Sequence, residues 1–252
     1  MSGDDHSTIE GTGVRKIGES VLRNEDLRYI QGRGQYSDDI NKSNQLYGLF
    51  VRSQIAHGII KNINTENAIT TPGVTTVLTG KDFEADGYGP VIHRAIEASP
   101  EDYTKPAFDN TDLVAIQFSQ WPMPFDKVRH VGEPIAFVVA ETIAAAEEGA
   151  ELVEVELEEL PVIVNVHQAA AVDSPEISEH APGNITIHHY RGEAEAIDQA
   201  LADSDVVVKG SFNVPRLISC QMEPRSGIGE YDPAVERFTV TAGNQGVHRY
   251  RD

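Results

Sequence analysis

Cysteine is almost missing from this chain: among 252 residues only Cys220 carries a thiol. One thiol rules out an intramolecular disulfide and any zinc or iron–sulfur site that draws several cysteines from the same chain. Long apolar runs are missing too. No uninterrupted stretch approaches the roughly 20 residues that a membrane-spanning helix needs. The first ten residues are polar and acidic, without the basic and apolar regions of a secretory signal. Basic residues are scarce, with 20 lysines and arginines against 40 aspartates and glutamates and a formal charge of −20. That balance disfavours nucleic acid, whose phosphates must be neutralised by cations, and disfavours an anionic membrane surface. A well-solvated acidic exterior is the simplest reading, with salt adaptation or a basic partner subunit as alternatives. Together these absences point to the reducing cytoplasm.

The portable catalytic motifs are absent as well. The chain has no G-x-G-x-x-G, no P-loop, no H-E-x-x-H and no G-x-S-x-G. Of nine histidines only His188 and His189 are adjacent, and neighbours in a strand point to opposite faces, which makes a poor metal pair. Glu154, Glu156, Glu158 and Glu159 read as the solvated face of a strand, not as paired acid–base carboxylates.

What is present is an ordinary globular composition, 40% hydrophobic and 24% charged, in a chain long enough for one large or two modest domains. Residues 1–14 read as a disordered leader and 15–39 as an irregular segment with turns at its glycines. Strands are expected over 45–53, 58–63 and 74–79, with a short helix over 65–70 between the last two. Residues 84–118 show no period and read as a long loop. The clearest pattern follows: an apolar interior strand over 134–140, an alanine-rich helix over 143–152 with acids in its early turns, and an alternating strand over 153–158. This order reads as a βαβ-like unit. A connector over 167–185, a helix over 192–201 and strands over 205–214, 229–232 and 237–242 complete the expectation.

Two short stretches near the end invite chemistry. Cys220-Gln221-Met222-Glu223-Pro224-Arg225-Ser226-Gly227 places a carboxylate in a weakly polar setting, where it needs a partner. Arg225, two residues on, is available. A salt-bridged corner and a role beside a cofactor are equally open readings of this pair. Thr241-Ala242-Gly243-Asn244-Gln245-Gly246-Val247-His248-Arg249 then offers a neutral amide at Gln245 between two glycines that let backbone approach a bulky ligand.

These stretches resemble the opening of the cofactor-binding region of molybdenum hydroxylases, the aldehyde oxidase, xanthine dehydrogenase and aerobic carbon monoxide dehydrogenase family. Earlier segments agree in order and spacing. Ile17-Gly18-Glu19-Ser20-Val21, Gly32-x-Gly34-x-Tyr36-x-Asp38-Asp39-Ile40, Phe50-Val51-Arg52-Ser53 with Ala56-His57, Pro72-Gly73-Val74 and Val131-Gly132-Glu133-Pro134 resemble the start of the family's large subunit.

The resemblance implies an α+β chain: an α/β hammerhead domain over 15–166, then the start of a truncated molybdopterin-binding α/β domain over 186–252. It implies molybdenum held by a molybdopterin, of the cytosine dinucleotide type, with no protein side chain ligating the metal. Gln245 is then the residue that hydrogen-bonds an oxo ligand of the metal, with Gly243 and Gly246 beside the cofactor. The reaction class is oxidation of aldehydes, N-heterocycles or carbon monoxide, with electrons leaving through iron–sulfur and flavin subunits. The family's glycine-rich cofactor loops and its late catalytic glutamate have no counterpart in these residues. The expectation is therefore a partial subunit that binds no cofactor and is inactive alone, completed by a chain carrying the rest of the molybdopterin domain. The alternative is a non-catalytic hammerhead scaffold or assembly module, or a truncated gene product.

Overall fold

The computed structural model describes residues 23–93, 111–115 and 118–244. The leader over 1–14 and the Ile17–Val21 stretch lie outside the described residues. The chain divides into two compact units: a central one from Asn44 to Asn213, and a split one that combines residues through Ser43 with those from Val214 onward.

The elements in chain order are α1 (Asp26–Ile30), β1 (Tyr47–Arg52), β2 (Gly58–Asn64), α2 (Glu66–Ile69), β3 (Val74–Thr79), α3 (Gly80–Ala85), β4 (Val91–His93), β5 (Thr111–Ala115), β6 (Phe118–Gln120) and β7 (Lys127–Val128). Then come β8 (Pro134–Ala140), α4 (Ile143–Glu151), β9 (Glu154–Glu159), α5 (Val166–Ala169), β10 (Ile187–Arg191), α6 (Ala194–Ala202), β11 (Gly227–Asp232) and β12 (Arg237–Ala242).

In the central unit β8 is the middle strand of an antiparallel sheet ordered β1–β8–β3. Its near-absence of polar side chains suits a strand covered on both faces. Ala136 and Val138 are fully buried with Ala68, Val77 and Val153, while Ala140 meets Ala145 and Ala146 of α4. Ile135, one residue out of phase, joins Ile60 and Val128, which belong to the second sheet, ordered β7–β2–β9. Phe137 is only half-buried and stacks on Phe50 with ring centroids 4.6 Å apart.

Helix α4 lies close on its sheet because Gly149 has no side chain. A methyl group there would come within 2.8 Å of Val74 Cγ2 and 3.1 Å of Val138 Cγ1. The acids of its early turns, Glu147 and Glu148, stand in the second turn and none in the first. Instead Thr142 Oγ1 accepts a hydrogen bond from the Ala145 amide at 3.1 Å and satisfies one of the free N–H groups at the helix start.

Three expectations change. Strand, helix and strand are present over 134–159, but they do not form a βαβ unit: β9 leaves the sheet of β8 and pairs antiparallel with β2 in the other one. The expected loop over 84–118 contains three short strands, β4, β5 and β6, the first pairing with the third and β5 pairing with β10 from far along the chain. Each is too short to show a period. The expected strand over 205–214 does not form. Its residues have no pairing partner among those described, and Val206, Val208, Phe212 and Val214 are exposed.

The stretch between β9 and β10 is secured by polar contacts. The Asn184 side chain donates to the carbonyls of Ala169 and Pro175, 3.0 Å each, and accepts from the Ile177 amide at 2.9 Å. Glu179 receives Lys127 Nζ at 3.0 Å and Arg129 at 3.2 Å. His57 is buried with Nδ1 2.8 Å from the Pro161 carbonyl oxygen. A carbonyl only accepts, so Nδ1 carries the proton, and among the described residues Nε2 is a buried acceptor without a partner.

Candidate functional site

The residues singled out near the end of the sequence lie in the split unit, around the hairpin of β11 and β12. Register places Gly227 opposite Ala242 and Tyr231 opposite Phe238, so residues 223–226 and 243–244 emerge at the same end of the hairpin. At the other end the turn is closed by Asp232 Oδ1, which accepts from the Ala234 amide at 2.9 Å, and by Glu236 in the left-handed region. The Tyr231 and Phe238 rings stack across the strands at 4.6 Å.

Between residues 214 and 226 the chain forms no strand. Cys220 has a φ of 46° and residues 222–223 bend. Glu223 and Arg225 therefore do not share a face, as two residues of a strand would. Among the described residues they form no ion pair. The partner of Glu223 is instead the Ser37 amide, which donates to Oε1 at 3.2 Å. The Ser37 and Ser226 hydroxyl oxygens are 2.8 Å apart. Ser37 opens a single 3₁₀ turn, Ser37–Asp39, anchored by the Tyr36 amide donating to Asp39 Oδ2 at 2.8 Å. Lys42 Nζ pairs with Glu230 at 3.2 Å. The Gly32-x-Gly34-x-Tyr36-x-Asp38-Asp39 motif thus ends in a strap along the start of β11.

Gly243 completes the arrangement. A methyl group on it would meet Glu223 Oε1 at 3.0 Å and Oε2 at 3.1 Å. Gln221, Glu223, Pro224, Arg225, Ser226, Gly243 and Asn244 line a cavity of about 540 Å³. Its wall offers amides, a hydroxyl, a guanidinium and a carboxylate, a set suited to holding a polar ligand by hydrogen bonds. Of the three residues expected beside a cofactor, Gly243 lines this cavity, while Gln245 and Gly246 lie outside the described residues. Among the described residues no cluster of three histidines, cysteines or acids is placed to hold a metal ion, and no helix is long and apolar enough to cross a membrane.

On β9 the reading of a solvated strand face holds. Glu154, Glu156, Glu158 and Glu159 are exposed on β9, where Glu154 accepts from Asn64 and Glu158 pairs with Lys61. His188 and His189 sit in β10 opposite Val114 and Leu113 of β5. The sequence reading missed the pairing of Ser37 with Glu223 and Ser226. Contacts across 186 and 189 residues leave no local pattern to detect, and the only hint was that both ends carried family-like motifs.

Comparison with known proteins gives two family matches. Residues 31–161 match the aldehyde oxidase and xanthine dehydrogenase a/b hammerhead domain, and residues 177–252 match the molybdopterin cofactor-binding domain. The nicotine 6-hydroxylase large subunit of Paenarthrobacter nicotinovorans is 34% identical over 92% of this chain and 26% of its own length. The carbon monoxide dehydrogenase large chain of Afipia carboxidovorans is 29% identical over 97% of this chain and 30% of its own. Among solved structures, quinoline 2-oxidoreductase from Pseudomonas putida 86 superposes with a TM-score of 0.72 at 30% identity, covering 90% of this chain and 26% of that one. The chain spans between a quarter and a third of the length of these relatives.

Proposed function

We propose a role in housing a cofactor from one premise: the chain belongs to the aldehyde oxidase and xanthine dehydrogenase family of molybdenum hydroxylases. In this reading it is the N-terminal part of a molybdenum-binding large subunit, with hammerhead residues over 15–166, a connector over 167–185 and the first part of the cofactor domain over 186–252. The observation that carries it is the cavity at the end of the β11–β12 hairpin, built from residues inside the molybdopterin-domain match.

The wall of that cavity fits such a group. A metal held by its own pterin ligand asks the protein for hydrogen-bond donors and close backbone approach rather than for side-chain ligands. Gly243, Asn244 and Arg225 offer these. Gln245 would present its amide to the bound metal centre, and Gly246 would give backbone room beside it. The molybdopterin, of the cytosine dinucleotide type, supplies the redox chemistry when bound. This chain's part is to position one side of it. Partners in this reading are a polypeptide carrying the rest of the molybdopterin domain, an iron–sulfur subunit and a flavin subunit, in the cytoplasm. Substrates fall among aldehydes, N-heterocycles and carbon monoxide. Val214, Leu217, Ile218 and Met222, four apolar side chains within nine residues that are all exposed, support a covering polypeptide, since apolar surface of this kind marks contact sites.

The isolated 252-residue chain is expected to hold no molybdenum and to oxidise neither aldehydes nor purines. Elemental analysis finding stoichiometric molybdenum in it would overturn this. In the assembled enzyme, Gln245→Ala is expected to slow turnover while leaving metal content and assembly intact, because it removes a hydrogen bond and no metal ligand.

A further inference from the structure

We infer that Glu223 is a positioning residue for Gly243 and Asn244 at the end of β12, holding the chain there against the N-terminal strap just before it reaches Gln245. The inference rests on the reading of residues 243–246 as facing the cofactor, and it adds a residue and a mechanism which that reading does not contain.

Three observations meet at one carboxylate. Glu223 is half-buried and has no cation paired with it among the described residues, so its charge depends on hydrogen-bond donors. The Ser37 amide supplies one at 3.2 Å, and the 2.8 Å contact between the Ser37 and Ser226 hydroxyls ties the same residue a second time to the 223–226 segment. On its other side the carboxylate occupies the space a side chain at position 243 would need, with both oxygens and Cδ 3.0–3.1 Å from where a methyl group would stand. Gly243 directly follows β12, whose end pairs with the start of β11. Gly243 therefore has a strand behind it and the Glu223 carboxylate against it. Three segments distant in sequence, at 37, 223–226 and 243, are joined through one side chain.

A clamp that merely held Ser37 would be indifferent to position 243. The tight fit against Gly243 makes the coupling reciprocal: disturbing either side of the carboxylate should be felt on the other. Hydrogen exchange by NMR on the full 252-residue chain, without cofactor, tests this. Glu223→Ala is expected to speed exchange about tenfold or more at the Ser37 amide and at the amides of 243 and 244. Glu223→Gln should restore most of the protection at both places, because its amide oxygen still accepts from Ser37. Gly243→Ala should accelerate Ser37 by pushing the carboxylate aside, and this variant decides the matter should Glu223→Ala unfold the hairpin. The inference is overturned if Glu223→Ala frees Ser37 alone, or if Gly243→Ala leaves Ser37 exchange unchanged. Since no cofactor is involved, that failure would leave the cofactor-pocket reading standing. Absence of molybdenum from an assembled enzyme would conversely leave this coupling standing.

Discussion

The central unit and the split unit are held together by different chemistry. Every buried apolar residue among those described lies between Asn44 and Asn213, from Ile60 to Ala181. Among its described residues the split unit has one that is buried, and it is a serine, Ser37. Its large apolar side chains, Leu217, Ile218, Met222, Phe238 and Val240 among them, are exposed. Among the described residues its internal order comes from hydrogen bonds, three exposed ion pairs and a two-stranded hairpin. Hydrophobic burial drives folding, whereas polar contacts contribute about 1 kcal/mol each but dictate geometry. One half of the molecule is therefore built for stability and the other for placement.

The sharpest way to break that comparison is to introduce a charge in each unit. Val138→Asp buries an uncompensated carboxylate in the middle strand and should cost on the order of 4 kcal/mol or more, unfolding the central unit. Val240→Asp, at a position 63% exposed, should stay within about 0.5 kcal/mol. Urea unfolding monitored by circular dichroism measures both, and equal effects would show that the split unit has a core of its own. A smaller effect belongs to the cap of α4. Thr142→Ala removes the hydrogen bond to the Ala145 amide and should destabilise the central unit by about 1 kcal/mol in the same assay, with no change in hairpin amide exchange.

The smallest effect concerns acid. The Glu179 carboxyl is held at about 2, against an ordinary 4.5, chiefly by the backbone N–H of its own residue and by Lys127, with Arg129 adding attraction. A depressed carboxyl stabilises the fold above its unfolded value and loses that contribution as pH falls from 4.5 toward 2. The side chain is 53% exposed, so solvent screening limits the gain to below about 1 kcal/mol. Carboxyl carbon NMR should give a titration midpoint near 2, and Glu179→Gln should abolish the loss of stability over that window. A midpoint near 4.5 would mean that the ion pairs to Lys127 and Arg129 are not maintained in solution.

The two units also differ in how far the sequence disclosed them. Strand β8 and helix α4 were legible because an apolar run and an alanine-rich stretch each carry their signal within ten residues. Strand β12 was located over 237–242 for a similar reason, between a turn and a glycine. The βαβ reading failed because sequence order says nothing about which sheet a strand joins, and β9 went to β2. Residues 205–214 show the opposite error: β-branched side chains give a strand-like period, yet a strand exists only when another pairs with it. In the candidate site Gly243 was legible as a place of close approach, which the structure fills with the Glu223 carboxylate. The partner of Glu223 was not, since the nearest cation in sequence, Arg225, lost to a backbone amide 186 residues away.

That separation has a consequence in time. A chain growing at about 5–20 residues per second exposes Ser37 roughly 10–40 s before Glu223 is made. All of β1 to β10 emerges within that interval, and strands of this length close in far less time. The N-terminal strap therefore stays in water, its amide and hydroxyl bonded to solvent, while the central unit folds behind it. A hydrogen bond of the split unit thus waits on a partner made late, although its first half was synthesised among the earliest residues described.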